Sequence, residues 1–253
     1  MMNYIMITGS SKGLGAAIST LLLDKPDTTL LCIARTRNKD LEQFAEQKNV
    51  PYFFYPFDLD DIKNIPAVVS QLFTNVMLEK ANHVHLINNA GMLEPIKPMD
   101  RTKQEEIITN IQVNLLAPML LTTEFLKKTK NFRGEKRIIN ISSGAGQRPI
   151  YGWGCYGTSK AGLDLFSQTT ALEQAHTKFP TKICSFGPGI MDTSMQQQIR
   201  TSPKQDFIDV EAFQTYKEED KLLPPSLVAK VVVDLLHRDD FPNGQVVNVS
   251  QYF

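Results

Sequence analysis

The hydrophobic residues of this chain fall into short apolar runs, separated by longer stretches in which apolar positions recur at helical spacing. Short apolar runs are typical of strands buried on both faces, and a period near 3.6 residues indicates an amphipathic helix. The pattern predicts seven strands, at residues 4–8, 29–34, 51–57, 84–87, 136–141, 182–187 and 245–249. Because helical stretches separate these runs, we expect an α/β fold: a doubly wound, seven-stranded, mainly parallel sheet with helices on both faces.

The helical stretches are also predicted from the pattern. After a first helix that follows the glycines of residues 9–15, they lie at residues 40–48, 65–80, 102–129, 156–179 and 226–237, the last with Ser226 as its N-cap. Residues 194–225 differ, because they are rich in Gln, Lys, Glu, Asp and Met and show no strand pattern. We interpret them as a lid over a binding site, although a helical excursion serving only the fold fits equally. Without a repeat or linker, residues 1–253 are predicted to form a single domain.

Charge and cysteine content narrow the class of protein. Lys plus Arg and Asp plus Glu number 27 each, so the net charge is zero and no global field attracts nucleic acid or an anionic membrane. Apolar runs stay well short of the roughly 18 residues of a membrane span, and no secretion signal is visible, so we expect a cytoplasmic protein. Cys32, Cys155 and Cys184 have neither disulfide nor metal spacing, and no metal is expected. Cys155 could be a reactive thiol, but a small buried residue is the simpler interpretation.

A glycine-rich turn follows the first strand. Residues 8–15 read TGSSKGLG, and an apolar helical stretch continues directly from them. Glycines let a backbone approach a phosphate closely, and a helix that begins there offers free N–H groups. The spacing of Gly9, Gly13 and Gly15 is neither the G-x-G-x-x-G fingerprint nor a P-loop. In its strand–turn–helix context we interpret the turn as a cofactor-binding site; a plain tight turn is the alternative.

Polar positions lie at three further strand ends. Arg35 stands where an acidic residue would favour NAD, and together with Lys12 it favours NADP(H); two solvated charges are the alternative. Asp58 closes the third strand, where it either faces a ligand or caps the next helix. Asn89, in the sequence NNAG, ends the fourth strand and either hydrogen-bonds to a cofactor or forms an Asx turn.

The residues after the fifth strand carry the clearest chemistry. The stretch ISSGAGQRPIYGWGCYGTSKAG contains Ser143, Tyr156 and Lys160. Tyr156 and Lys160 are four residues apart at a predicted helix start, so they share one helix face. A neighbouring cation favours the charged form of a phenol, which makes Tyr156 a candidate proton donor to a carbonyl. By itself the spacing is weak evidence, since any surface helix can carry it.

Asn114 and Pro118 interrupt the helical stretch at residues 102–129. Because proline has no N–H, the carbonyl of Asn114 loses its i+4 partner. A freed carbonyl and a side-chain amide then coincide at one residue, where an ordered water could satisfy them. A simple kink with the amide facing solvent is the alternative.

Taken in order, these motifs resemble a known family. TGSSKGLG, NNAG, Asn114, Ser143 with Tyr156-x-x-x-Lys160, and PGIMDT are similar to the motifs of the short-chain dehydrogenase/reductase family, over essentially the whole chain. GWGCYGTSKAG, the Arg after the second strand and PG-x-x-x-T look most similar to sepiapterin reductases and bacterial benzil (diketone) reductases. The resemblance implies a Rossmann fold, NADPH as cofactor, reduction of a carbonyl and a homodimer.

The resemblance also implies residue roles. Tyr156 would donate the proton, Lys160 would lower its pKa and hold the nicotinamide ribose, Ser143 would bind the substrate carbonyl, and Asn114 would hold a relay water. Arg35 would take the 2′-phosphate. The implied cofactor-binding set is Gly9, Ser11, Lys12, Gly13, Leu14, Gly15, Arg35, Asp58, Leu59, Asn89, Ala90, Gly91, Tyr156, Lys160, Pro188, Gly189, Ile190 and Thr193.

The substrate follows less directly from the sequence. Ser143 and Tyr156 would contact it, with an apolar lining formed by Leu93, Tyr151, Trp153, Met191 and Met195. Such a lining suits an aromatic ketone. Animal sepiapterin reductases are expected to anchor the pterin with a carboxylate near the C-terminus, and Asn248 stands at the corresponding place, which favours a diketone. A different class fits the fold as well: a non-catalytic NADP(H)-binding sensor or scaffold.

Overall fold

The computed structural model describes residues 2–253. The strands are β1 (Met2–Thr8), β2 (Thr28–Ala34), β3 (Tyr52–Pro56), β4 (Ala81–Asn88), β5 (Glu135–Ile141), β6 (Lys182–Gly187) and β7 (Val246–Asn248). The α-helices are α1 (Gly13–Leu23), α2 (Lys39–Lys48), α3 (Ile65–Leu72), α4 (Gln104–Ile111), α5 (Ala117–Lys128), α6 (Gly154–Gln174), α7 (Ser194–Arg200), α8 (Val210–Glu218) and α9 (Pro225–Leu235).

Within residues 2–253 the seven strands form one sheet in the order β3-β2-β1-β4-β5-β6-β7. Each neighbouring pair of strands is parallel. The predicted doubly wound sheet is therefore confirmed. The strand order reverses between β1 and β4, and in such sheets a crevice opens at this point beyond the carboxyl ends of the strands.

The hydrophobic core occupies both faces of the sheet because side chains alternate along each strand. On β1, Ile5 and Ile7 pack with α1 and α9 on one face, and Tyr4 and Met6 pack with α3 and α5 on the other. A strand covered on both faces needs apolar residues at every position. This explains why the strands appear as continuous apolar runs in the sequence.

Several helix boundaries differ from the sequence prediction. Residues 65–80 form α3 followed by two 3₁₀ turns, at Phe73–Asn75 and Leu78–Lys80. The helix expected to continue to residue 179 ends with α6 at Gln174. The predicted N-cap role of Ser226 is wrong: α9 starts one residue earlier and Pro224 is its N-cap. Proline is tolerated at a helix start because that N–H has no intrahelical partner.

In the part of the chain that the structure describes, helices are too short or too polar to cross a membrane.

The alternation on β1 leads to a stability prediction. Ile7→Ala should destabilise the fold by about 2–5 kcal/mol, because Ile7 is fully buried at the centre of the sheet and its truncation leaves a cavity. Urea unfolding followed by circular dichroism measures the change. The control is Met77→Ala, since Met77 is about half exposed, and it should change stability by less than about 0.5 kcal/mol. Equal effects of the two substitutions would contradict this assignment of the core.

Candidate active site

A cavity of about 740 Å³ lies at the carboxyl ends of the strands, where the strand order reverses. Its volume is within the roughly 300–1,000 Å³ usual for small-molecule sites. Sixteen of the residues predicted to bind cofactor line it: Gly9, Ser11, Lys12, Gly13, Leu14, Gly15, Arg35, Asp58, Leu59, Asn89, Ala90, Gly91, Tyr156, Lys160, Pro188 and Thr193. Two others of that predicted set, Gly189 and Ile190, lie outside the lining.

The glycine turn between β1 and α1 forms one wall of the cavity. Gly9 and Gly13 have φ angles of +70° and +57°, which residues other than glycine rarely adopt. A β-carbon at Gly15 would overlap the carbonyl oxygen of Gly9 and the amide nitrogen of Asn89. The turn therefore requires glycine for its backbone conformation and for the close approach of three segments.

Thr8 and Asn89 join the turn to the end of β4. The hydroxyl of Thr8 accepts the N–H groups of Asn89 and Ala90, at 3.0 Å each. The side-chain amide of Asn89 donates to the carbonyls of Thr8 at 2.9 Å and Gly9 at 3.2 Å. The amide nitrogen of Asn89 thus fastens two strand ends together across the switch point.

Positive charge collects at the end of the cavity formed by β2. Lys12, Arg35 and Arg37 line this region together with Asp58. The guanidinium of Arg35 is 3.8 Å from the carboxylate of Asp58, and the Arg35 side chain is 75% exposed, so this pair contributes little. Arg37 is held by the carboxylate of Glu42 and lies 4.9 Å from the centre of the Phe54 ring. Arg35 is therefore the less constrained arginine.

Tyr156 and Lys160 occupy the opposite end of the cavity, in the first two turns of α6. Both side chains are buried, and the ammonium of Lys160 lies 5.7 Å from the centre of the Tyr156 ring. The ammonium donates a hydrogen bond to the carbonyl of Ile141 at 2.9 Å, which ties α6 to the end of β5. A phenol and a cation thus lie side by side in a region from which water is largely excluded.

Burial determines the titration of this pair. Burial raises the pKa of Tyr156, and the hydroxyl of Ser143 lowers it in part. The sequence prediction assigned a lowering of this pKa to Lys160, whereas the largest effect in the structure is desolvation, which raises the pKa. Burial also lowers the pKa of Lys160 to about 8, and the carboxylate of Asp164 acts against that decrease.

Ser143 lies at the entrance of the loop between β5 and α6. Its hydroxyl accepts the N–H of Ala145 at 3.2 Å and so caps a 3₁₀ turn at Gly144–Gly146. Ser143 is outside the cavity lining, whereas its neighbour Ser142 is part of it. The capping bond fixes the position of the Ser143 hydroxyl near Tyr156.

Asn114 lies at the centre of a five-residue π-helix, Gln112–Leu116, between α4 and α5. It is completely buried, so the interpretation in which its amide faces solvent is wrong. The amide accepts the N–H of Met92 at 2.9 Å and donates to the carbonyl of Met92 at 2.8 Å. A β-carbon at Gly91 would lie 3.2 Å from the Asn114 amide oxygen and 3.5 Å from the Lys160 nitrogen, so Gly91 lies between them.

The predicted substrate residues divide into two groups. Leu93, Met191 and Met195 line the cavity. Tyr151 and Trp153 lie outside the lining: Tyr151 is less than half exposed, and Trp153 is buried with its indole edge-on to Tyr156 at 5.6 Å. Trp153 therefore packs against the Tyr156 ring without lining the cavity.

Residues 194–225 fold against this end of the cavity. Phe207 is completely buried and stacks on Trp153, with ring centres 5.2 Å apart. The base of the segment is held by a parallel bridge between Met191 and Leu223. Gln198 on α7 donates a hydrogen bond to the carboxylate of Glu94 at 2.9 Å, which joins the segment to the loop after β4.

Some cavity residues were missed by sequence reasoning. They include Glu94, Thr109, Val113 and Gln198 on the substrate side. Glu94 follows the NNAG motif by three residues and Val113 directly precedes Asn114, so proximity to motifs was the available signal. Thr109 and Gln198 enter the lining only through the packing of α4 and α7.

A second polar cluster lies at the amino-terminal ends of β4 and β5, away from the cavity. In residues 2–253, His83, His85 and Glu135 are the group with metal-ligand spacing. His85 is buried, its Nδ1 accepts the main-chain N–H of Arg137, and burial holds its pKa well below the usual value. The neutral ring therefore carries its proton on Nε2. The Arg137 guanidinium donates to the carboxylate of Glu135 at 2.6 Å, and His83 Nδ1 lies 3.5 Å from the other oxygen of that carboxylate.

Comparison with known proteins assigns the family. The model described as short chain dehydrogenase matches residues 3–204. Benzil reductase ((S)-benzoin forming) of Bacillus cereus is 45% identical, covering 99% of this chain and 100% of its own length. Sepiapterin reductase of Bos taurus is 30% identical over 94% of this chain and 91% of its own length. The structure of the KRED1-Pglu enzyme superposes with a TM-score of 0.84 at 26% identity, covering 97% of this chain and all of that one.

The chain belongs to the short-chain dehydrogenase family, and it is an oxidoreductase of that family. The resemblance to benzil and sepiapterin reductases drawn from the motifs is confirmed. Members of the family use nicotinamide cofactors.

The glycine turn allows a matched test of its packing. Gly15→Ala should destabilise the protein by about 1–3 kcal/mol or more, because the new methyl group overlaps the Gly9 carbonyl. Gly144→Ala is the control: a β-carbon there meets no atom within 4 Å, and the change should stay within about 0.5 kcal/mol. Thermal unfolding of both variants measures the difference. A Gly15→Ala protein as stable as Gly144→Ala would show that the turn is not packed as described.

Proposed function

We propose that this protein is an NADPH-dependent carbonyl reductase acting on aromatic ketones or diketones such as benzil, with Tyr156 as the proton donor. The observation that carries the proposal is the burial of a phenol and an ammonium side by side at one end of a cavity whose other end carries a glycine turn and arginines. The full-length similarity to a benzil reductase at 45% identity supports the substrate class.

The residues present fit a nicotinamide dinucleotide. The glycine turn leaves main-chain N–H groups at the start of α1 available to a phosphate, because the N-cap residue Lys12 makes no side-chain capping bond to them. Arg35 and Lys12 would take the 2′-phosphate, with Asp58 and Leu59 beside the adenine. Lys160 would hold the nicotinamide ribose, near Tyr156, Pro188 and Thr193. Gly189 and Ile190, next to Pro188, would complete the nicotinamide side.

The chain's own residues carry the proton chemistry. When bound, the reduced nicotinamide supplies the hydride. The Tyr156 hydroxyl donates its proton to the carbonyl oxygen, and the positive charge of Lys160 stabilises the phenolate left behind. Ser143 orients the carbonyl by a hydrogen bond. Asn114 would hold a water that returns a proton towards Lys160, since Pro118 leaves the Asn114 carbonyl without an i+4 donor.

The apolar part of the cavity favours an aromatic ketone as the substrate. Leu93, Met191 and Met195 provide an apolar lining, and Leu93 and Met195 pack in the same cluster as Tyr156. We propose that Trp153 acts mainly by supporting the Tyr156 ring and that Tyr151 contacts only the outer part of a bound substrate. Residues 194–225 would cover this end as a lid, anchored by Phe207 and closing through α7.

We further propose that residues 1–253 form a single domain and that two copies of the chain associate as a cytoplasmic homodimer. Leu165 and Leu172 on α6 are about two-thirds exposed, and Ile108 on α4 is about half exposed. Exposed apolar side chains on neighbouring helices favour association of two copies. All three cysteines are free, as expected in a reducing compartment.

Tyr156→Phe tests the reductase against a non-catalytic sensor. With benzil and NADPH, the variant should lose at least about a hundredfold in kcat, since a positioned proton donor contributes that much. Its Kd for NADPH, followed by nucleotide fluorescence, should change by less than about threefold, because the ring is kept. The control is Tyr151→Phe, with the same loss of a hydroxyl at a position outside the cavity lining. A wild-type protein that binds NADPH but reduces neither benzil nor sepiapterin would favour the sensor.

Cofactor preference tests the role of Arg35. Wild type should use NADPH better than NADH, and Arg35→Ala should raise the KM for NADPH about tenfold to a hundredfold by removing a charged hydrogen bond. The KM for NADH should stay nearly constant. Arg37→Ala is the control and should have a smaller effect, because Glu42 and Phe54 already hold Arg37. Better use of NADH by wild type would refute the assignment.

A further inference from the structure

Asp164 is a carboxylate enclosed in the protein one helical turn after Lys160. Asp164 is 7% exposed, and its Oδ1 atom is buried without a hydrogen-bond partner among the described residues. An ionised carboxylate is costly to bury unless a charge or hydrogen bonds stabilise it. The proposed proton transfer does not involve the Asp164 carboxylate, so the burial of this carboxylate requires another physical explanation.

Asp164 and Lys160 are both buried residues of α6, one helical turn apart. Residues four apart share one helix face, so Asp164 follows Lys160 on the face that packs against the sheet. A β-carbon at Gly146 would come within 3.1 Å of Asp164 Oδ2, so the loop after β5 closes over the carboxylate. Burial raises the pKa of Asp164, and hydrogen bonds from the hydroxyls of Ser142 and Ser185, together with the charge of Lys160, act against that increase.

Neighbouring elements contribute neutral groups to this site. β5 provides the Ile141 carbonyl, the loop after it provides Ser142, β6 provides Ser185, and the π-helix provides the amide of Asn114. The remaining titratable neighbour is Tyr156 on α6 itself. Within residues 2–253, Asp164 is the charged group that acts on the pKa of Lys160, and Lys160 is the charged group that acts on the pKa of Asp164.

We propose that Asp164 is a positioning residue of the reductase, whose carboxylate is the internal counter-charge that keeps the ammonium of Lys160 protonated beside Tyr156. Its consequence for turnover rests on the proposed function, whereas the coupling of the two charges does not. Burial alone favours the neutral amine, and a nearby anion favours the ammonium. The carboxylate therefore offsets part of the desolvation that the closed site imposes on the lysine.

The charges of the two groups determine the direction in which Asp164→Asn changes the pKa of Lys160. Removing an anion disfavours the protonated form of a neighbouring amine, so the pKa of Lys160, about 8 in the intact protein, should fall further in Asp164→Asn. Lys160 would then lose its charge at a lower pH. Since reduction needs the ammonium beside Tyr156, the alkaline limb of the rate profile should move to lower pH.

The first measurement does not depend on activity. ¹³C NMR of protein labelled at lysine Cε follows the titration of Lys160, with the resonance assigned by its loss in Lys160→Met. Asp164→Asn should lower the midpoint by about one pH unit. Glu173→Gln removes an exposed carboxylate from the same helix and should leave the midpoint in place. An unchanged midpoint in Asp164→Asn would overturn the proposal.

The second measurement is the pH profile of kcat for benzil reduction by NADPH. Asp164→Asn should move the alkaline limb to lower pH by the shift seen for the lysine. A uniform fall in kcat at every pH would mean a merely structural role. If wild type lacks ketone reductase activity, the proposed function fails while the NMR titration still decides the coupling.

A double-mutant cycle covers the case in which Asp164→Asn is poorly folded. The substitution should lower the Tm more when residue 160 is lysine than in the Lys160→Met background, because the attraction it removes exists only with the lysine. Equal decreases in Tm in both backgrounds would overturn the proposal. The comparison needs only enough folded protein for thermal unfolding.

Discussion

The site is built around one constraint, the burial of the Lys160 ammonium beside the Tyr156 phenol. The lysine is 3% exposed, and its ammonium has one hydrogen bond within the described residues, to the carbonyl of Ile141. A charge in this position is unfavourable by itself, which explains why its pKa falls to about 8. Glycine at position 91 leaves room between the ammonium and Asn114, and Asp164 supplies opposite charge. Each neighbour either makes space for the charge or stabilises it.

Parallel strands bring the parts of this site together. Residues far apart in sequence meet because every strand delivers its carboxyl end to the same edge of the sheet. The reversal between β1 and β4 separates the helices that follow and opens the crevice. Thr8 and Asn89 join the two strand ends at that point, so the glycine turn after β1 is held against the end of β4. The same topology leaves the substrate end to the less regular segment at residues 194–225, whose buried Phe207 ties it to Trp153.

The sequence predicted the sheet well because its strands are covered on both faces, which makes them continuous apolar runs. The motifs follow predicted strands directly, and for that reason the sequence alone places Tyr156, Lys160 and the glycines at one edge of the sheet. Tertiary contacts determine the features of the site that the sequence does not predict. Trp153 is directed behind Tyr156 by stacking on Phe207, and Glu94 reaches the cavity through its bond to Gln198. The pKa of Tyr156 depends on the degree of burial, which residue spacing does not encode.

In the proposed reaction, the cavity is the place where a hydride and a proton are delivered to one carbonyl. The most direct test uses NADPH carrying deuterium at C4 of the nicotinamide, in both stereochemical forms, with benzil as substrate. Mass spectrometry of the benzoin formed should find one deuterium on the carbinol carbon with one of the two forms and none with the other. Benzoin that contains no deuterium from either form, or benzil left unreduced while NADPH is bound, would contradict this mechanism.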